Sequence, residues 1–323
     1  MKRRHASLAL ASFPLLMAGL AGAQSGYPEK PVRLVVPYPP GASTDALGRM
    51  VALKMSPSIG QTVMVDNKGG ASGNIGSDMV AKAAGDPYTF LLGTDATHAA
   101  NMHLVANPPF NPVRDFTPLT LAVLNPIVLV VHPSVPATSI TELAAFVKAN
   151  PNKGGYGSSG TGSPHHLAGE LLKNRTGAPF VHVPYRGGAP AVNDLLGGQI
   201  PMVFASVITV LPHIQAGRLK AIAMTGTARY ENLPNVPTIA ETLDGFDMSS
   251  WLAFFGPPNM PEAASRRLSD EIVKALRDPE TRAKLNTSGL VVVASTPAEL
   301  AATVRRDFEQ RGKLIRDAGI KAE

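Results

Sequence analysis

The chain has no cysteine. That excludes a disulfide framework, a thiolate metal site, a cysteine nucleophile and an iron–sulfur cluster. Charge is also sparse: 17% of the 323 residues are charged against 44% hydrophobic. A disordered chain would reverse that balance, so a globular protein is expected. Aromatic residues make up 6%, with one tryptophan. No run of Lys or Arg interleaves with them, which argues against nucleic acid as a partner. The 30 glycines follow no G-X-Y period, so a collagen-like chain is excluded. Beyond the N-terminus no stretch is apolar for 18 residues, so no membrane span is expected there. The formal charge of +6 and pI near 9.5 would suit nucleic acid or an anionic membrane, depending on where the charges sit.

Half of that excess lies in the first four residues. Lys2, Arg3 and Arg4 precede a mostly apolar stretch from Leu8 to Leu20, and Ala21-Gly22-Ala23 is a small-x-small cleavage site. Those three parts in that order predict a secretory signal peptide over 1–23. A transmembrane helix fits less well, because about 20 apolar residues are needed and Pro14 interrupts this stretch. No cysteine follows the cleavage site, so no lipoprotein anchor is expected. Cleavage leaves 27 basic against 24 acidic residues, a near-balanced protein destined for the periplasm. Its length suggests about two domains.

Short apolar runs alternate with helical patterns. Strands are predicted at Val32–Pro37, Thr62–Val65, Tyr88–Leu92, Ile127–Val131, Val181–Val183, Pro201–Phe204, Lys220–Met224, Trp251–Phe255 and Leu290–Val293. Runs of Val, Ile and Leu of this kind read as parallel strands buried on both faces. Between them, Ser139 and Glu142 form a capping box ahead of the Ile140, Leu143, Ala144, Val147 face. Thr296 and Glu299 form another, with Pro297 at the first helical position. Leu300, Val304 and Phe308 follow every four residues, and Leu268, Ile272, Val273 and Leu276 line a further face. The alternation implies an α/β fold with helices covering parallel sheets.

Four segments place Gly, Ser or Thr between a strand and a helix: residues 37–45, 67–74, 157–164 and 184–190. The first N–H groups of a helix lack internal partners, and the helix dipole puts about half a positive charge there. Small residues let an acid group reach the backbone, and hydroxyls add donors. Ser163 suits an N-cap and Pro164 the first helical position. Such loops at strand ends are where open α/β sheets bind ligands. Tight turns would use the same residues, but four such loops in one exported chain favour a carboxylate or phosphate site. Gly155, Gly157 and Gly160 match G-x-G-x-x-G, yet no acidic residue follows at the distance a dinucleotide site needs. There is no phosphate-binding G-x-x-x-x-G-K-[ST] loop and no G-x-S-x-G elbow, since Thr161 stands where that elbow needs glycine. His165-His166 lacks metal-ligand spacing; both are expected in the first turn of a helix, one facing a cleft.

These segments, in this order, resemble the receptor proteins of tripartite tricarboxylate transporters, the Bug-type solute-binding proteins. The resemblance runs from Tyr27 to near the C-terminus. It includes YPEKPVRLVVPYPPGASTD, the Asn67 glycine loop ending GNIG, GYGSSGTGSPHHLAGELL, VPYRGGAPAVNDLLGGQIPMVF, LPHIQAGRLKAIA and LPNVPTIAE. It implies a type II periplasmic binding protein fold, two α/β lobes with a ligand cleft between them. Residues 24–126 plus 249–323 would form one lobe and 127–248 the other. The ligand would be a small organic acid, and the partners the membrane subunits of the transporter. No cofactor, metal or catalytic residue is implied.

Carried over residue by residue, the first lobe would offer Tyr38, Gly41, Ala42, Ser43, Thr44, Gly70 and Thr94. The second would offer Ser158, Ser159, Gly160, Gly162, Ser163, His165, Tyr185 and Arg186. Arg186 would be either a counter-charge or a surface charge, and Asp45 would cap or orient its helix. Many relatives carry glycine at the position of Ala42, and many carry Asp after the phenylalanine that is Phe204 here. Phe204-Ala205-Ser206 lacks that acid, which favours a non-amino mono- or dicarboxylate over an amino acid. A ligand-loaded sensor subunit and an exported hydrolase using a Ser/His pair stay open as alternatives.

Overall fold

The computed structural model describes residues 26–40, 43–185 and 187–321. The predicted signal peptide lies outside them. Eleven strands form two sheets among these residues. In the first, β1 (Val32–Val36) lies parallel to β2 (Val63–Asn67) and β3 (Thr89–Thr94). β10 (Trp251–Gly256) then inserts antiparallel between β3 and β4 (Thr117–Leu124), and β11 (Val291–Val292) closes the far edge. The second sheet runs β7 (Val181–Pro184), β6 (Gly155–Ser158), β8 (Met202–Ser206), β5 (Ile127–Val131), β9 (Lys220–Met224). Here β5 is antiparallel to both neighbours while β6 is parallel to β7 and β8.

The sheets are therefore mixed rather than parallel. β5 and β10 are the inserted antiparallel strands, and each follows a crossover between the sheets. Burial on both faces gave them the same apolar reading as a parallel strand. Two strands escape the sequence pattern. β4 carries Pro118, which sits at a register shift opposite Phe255, where a missing donor is tolerated. β6 has two glycines in four residues. A Cβ on Gly157 would stand 2.7 Å from Ile200 Cδ1, so the bare backbone is what lets the sheet and its covering side chains meet.

Helices cover both faces of each sheet. On the first, α1 (Ser43–Ile59) and α7 (Glu262–Arg277) share a core with Val32, Leu34, Phe90 and Phe254. α2 (Asn74–Ala81) and α9 (Pro297–Asp317) cover the opposite face with Val80, Leu300 and Val304 beside Trp251. On the second sheet, α3 (Ile140–Ala149) and α4 (Pro164–Thr176) bury Leu143, Val147, Leu167 and Leu172. α5 (Gly188–Leu196) and α6 (Val207–Gln215) bury Val192, Leu195 and Val210 on its other face. α8 (Pro279–Thr287) packs beside β11. α9 is shared: Leu300 and Val304 belong to the first sheet, and Ile315 to the core of the second.

Capping follows the sequence in one case and differs in the other. Thr296 and Glu299 form the full reciprocal box, with Pro297 at the first helical position. Ser139 Oγ accepts from Glu142 N at 3.2 Å, but the Glu142 carboxylate turns back to Thr138 N, 2.8 Å away, instead of Ser139 N. The box is thus displaced by one residue.

Candidate functional site

The chain passes between the sheets at Asn125-Pro126, joining β4 to β5, and again between β9 and β10. A cleft of about 680 Å³ is formed where loops from the two sheets face each other. The first wall starts at the end of β1. Asn67 Nδ2 donates to Tyr38 O and to Asp45 Oδ1, both at 3.0 Å. Arg49 Nε donates to the same carboxylate. Asp45 thus fixes the start of α1 against the loop rather than facing the cleft. The Tyr38 hydroxyl pairs with Thr94 Oγ1 at 3.0 Å, and removal from solvent pushes its pKa up to about 12.

Beside Tyr38, residues 71–73 run through left-handed backbone: Ala71 at φ 46°, Ser72 at 55° and Gly73 at 92°. For the two non-glycine residues that conformation costs roughly 1–2 kcal/mol each. Asn101 offsets part of it, donating through Nδ2 to Ser72 O and Asn74 Oδ1, both at 2.9 Å.

The second wall is the loop from β6 into α4. Strand alternation turns Ser158 inward, where its Oγ lies 2.6 Å from His182 Nε2 and accepts from Gly160 N at 3.1 Å. The next residue, Ser159, faces the cleft, with its Oγ 2.7 Å from His165 Nδ1. Gly162 N donates to His166 Nδ1 at 3.0 Å, and the His166 ring stacks on His182 at 3.7 Å. Ser163 caps α4 by accepting from His166 N at 3.2 Å, with Pro164 behind it. Both His165 and His166 are buried, and the loss of solvent lowers each pKa to about 4. They are neutral supports of the loop, so neither faces the cleft as expected. Gly162 sits at φ 77°, and a Cβ there would stand 2.2 Å from Leu104 Cδ1. Leu104 comes from the β3–β4 connection, so the two walls touch at this glycine.

Of the residues predicted for the site, Tyr38, Ser159, Gly160, Gly162, Ser163 and Tyr185 line the cleft. Thr44, Gly70, Thr94, Ser158 and His165 do not. Thr44 is buried in α1, Thr94 lies beneath Tyr38, and Ser158 and His165 stand behind the second wall. Gly70, at φ 125°, packs near Ile75. The Tyr185 hydroxyl donates to Asp194 Oδ2 at 2.7 Å, which leaves its ring as the contact surface. Gly41, Ala42 and Arg186 lie outside the described residues, as does the side chain of Ser43. Sequence reasoning missed Ala96, Asn101, Leu104 and Val105, which also line the cleft. They follow β3 in a π-turn, Ala96–Ala100, and a 3-10 turn, Asn101–His103, or just beyond. Such turns have no hydrophobic period to read.

No Asp, Glu, Lys or Arg stands among the described lining residues. The polar groups are hydroxyls, amides and backbone N–H groups near the first turns of α2 and α4. Leu104, Val105, Pro164 and Pro184 supply an apolar portion. Among the described residues, no helix is long and apolar enough to cross a membrane.

Residues 47–320 match the family described as the tripartite tricarboxylate transporter family receptor. The chain is 34% identical over 318 residues to BugT of Bordetella pertussis, covering 97% of this chain and 98% of that one. It superposes with a TM-score of 0.81 on R. palustris Rpa4515 with adipate, at 33% identity, covering 91% and 99% of the two chains. It superposes with a TM-score of 0.78 on MatC (Rpa3494) from Rhodopseudomonas palustris with bound malate, at 28% identity over 90% and 100%.

Proposed function

The chain belongs to the tripartite tricarboxylate transporter receptor family, and from that premise we propose that it captures a small non-amino carboxylate in the periplasm and delivers it to the membrane subunits of such a transporter. The supporting observation is the cleft. An anion there meets neutral donors and the positive ends of helices. An amine would need an acidic partner, and the described lining has none. Residues 24–126 plus 249–323 act as one lobe and 127–248 as the other. Contacts to both select the closed state. The chain is exported by its N-terminal segment, cleaved after Ala23, and carries out no bond chemistry. Two Ser/His pairs would suit a hydrolase, Ser158–His182 and Ser159–His165, and of the two serines Ser159 lines the cleft. The far nitrogen of His165 meets the Ser206 hydroxyl rather than a carboxylate, so no acid orients it as a base.

A thermal-shift screen with malate, adipate, citrate and benzoate tests this reading. An acid at 100 times its Kd adds about 2.7 kcal/mol of stability. No shift with any organic acid overturns it. Loss of growth on the acid after deletion of the gene separates uptake from sensing.

Gly162→Ala is expected to weaken binding of that acid. The new Cβ meets Leu104 and takes a left-handed conformation that costs about 1–2 kcal/mol, so the walls are held apart. Titration calorimetry should show roughly a tenfold or greater rise in Kd. An unchanged Kd would show that the contact plays no part in closure.

A further inference from the structure

A row of hydrogen bonds runs from the cleft wall to the crossover between the sheets. Ser159 Oγ lies 2.7 Å from His165 Nδ1, His165 Nε2 lies 3.3 Å from Ser206 Oγ, and Asn125 Nδ2 donates to Ser206 Oγ at 3.0 Å. Asn125 sits between β4 and β5. Its backbone N–H donates to Ser250 O on the return crossover at 2.9 Å.

The chemistry of the groups gives this row a direction. The Asn125 amide turns Nδ2 toward Ser206 Oγ and leaves its own Oδ1 buried without a hydrogen-bond partner; in that orientation Ser206 Oγ accepts from Asn125. The Ser206 proton then needs an acceptor. Ser206 stands at the N-cap of α6 yet makes no side-chain cap bond, and the acceptor in reach is His165 Nε2. His165 is neutral at neutral pH, because burial lowers its pKa to about 4. A neutral imidazole carries one proton, so when Nε2 accepts, Nδ1 donates. Ser159 Oγ receives that bond, and its own hydroxyl proton is left for the cleft.

We propose that His165 is a positioning residue acting through Ser159: the Asn125–Ser206 pair holds it as the Nδ1–H tautomer, so that Ser159 presents a donor to the carboxylate. This rests on the carboxylate reading above. Asn125→Asp reverses the row. The new carboxylate accepts a hydrogen bond from the Ser206 hydroxyl, His165 as its Nε2–H tautomer donates to Ser206 Oγ, and Ser159 donates its hydroxyl hydrogen bond to Nδ1, so it faces the anion with lone pairs alone.

Nitrogen-15 NMR of the ligand-free wild-type protein reads the tautomer directly, with His165 assigned by loss of its signals in His165→Gln. The expected result is a protonated Nδ1 and an unprotonated Nε2; the opposite pattern overturns the proposal. Calorimetry with malate, adipate and benzoate then compares wild type with Asn125→Asp and Ser206→Ala, each checked for a cooperative melt. Either variant should weaken the bound acid by roughly ten- to a hundredfold, the effect of one charge-assisted hydrogen bond. Unchanged affinity in a folded variant also overturns it. If none of the three acids binds wild type, that counts against the receptor reading, and the tautomer still decides the row.

Discussion

Replacing Arg311 by Met should lower the stability of the folded chain by about 3–5 kcal/mol, the usual result of removing one partner from a buried ion pair. Arg311 is 5% exposed and Asp95 is 2% exposed. Arg311 Nη2 lies 3.2 Å from Asp95 Oδ2 and donates to Ser249 O at 2.5 Å. Asp95 also accepts from Ser250 Oγ at 3.0 Å. Burial pushes the Asp95 pKa up, and the guanidinium is the main influence pulling it back. Without Arg311 a carboxylate is stranded between the end of β3 and the β9–β10 crossover. Urea unfolding at pH 7 measures the loss. It should shrink in Asp95→Asn/Arg311→Met, where no charge is left behind, and at low pH, where Asp95 takes up a proton. A loss under about 1 kcal/mol in the single variant would mean that the pair carries no net weight.

Acidification should also destabilise the fold. Burial lowers His165 and His166 to about 4 and His98 to about 3. Unfolded, each would titrate near 6.5. The depressed values mean that the unfolded chain binds protons first as pH falls. Stability from these groups is therefore whole above about pH 6.5. It is lost on descent through the window between 6.5 and 4, and for His98 down to about 3. Each contributes on the order of 3 kcal/mol. Asp95 works in the opposite sense, because its raised pKa lets the folded form take a proton first. With three histidines titrating only when unfolded, stability between pH 6 and 5 should fall by up to ~4 kcal/mol per unit. Urea curves at half-unit steps give that slope. A slope under one proton's worth, about 1.4 kcal/mol per unit, would contradict the neutral assignment. There is a local consequence too. A protonated His166 cannot accept from Gly162 N, so the cleft loop should loosen before the sheets melt.

The sequence carried more of the scaffold than of the site. Apolar runs such as Ile127–Val131 announce a strand wherever it is buried, but they carry no mark of direction, which is why β5 and β10 read as parallel. β4 and β6 were hidden by Pro118 and by Gly155 and Gly157, residues that strands usually avoid. The glycine and serine loops could be recognised as anion-friendly from composition. Which of their residues face inward depends on strand alternation and on partners distant in sequence. Ser158 and Ser159 are chemically the same, and one lies under His182 while the other faces the cleft. His165 and His166 could be placed at the start of a helix, but their bonds to Ser159 and Gly162 exist only once the loop has folded back.

α9 begins over the first sheet and ends in the core of the second, and Arg311 and Asp307 fasten it to the β9–β10 crossover through Ser249 O and Trp251 Nε1. Two crossing strands alone would make a loose pivot. A helix bonded along that pivot would act as a splint against twist and sideways slip, leaving bending as the easier motion. If the walls close as proposed, they would return to the same register each time. For the proposed receptor, little ordering entropy would then be left for the ligand to supply.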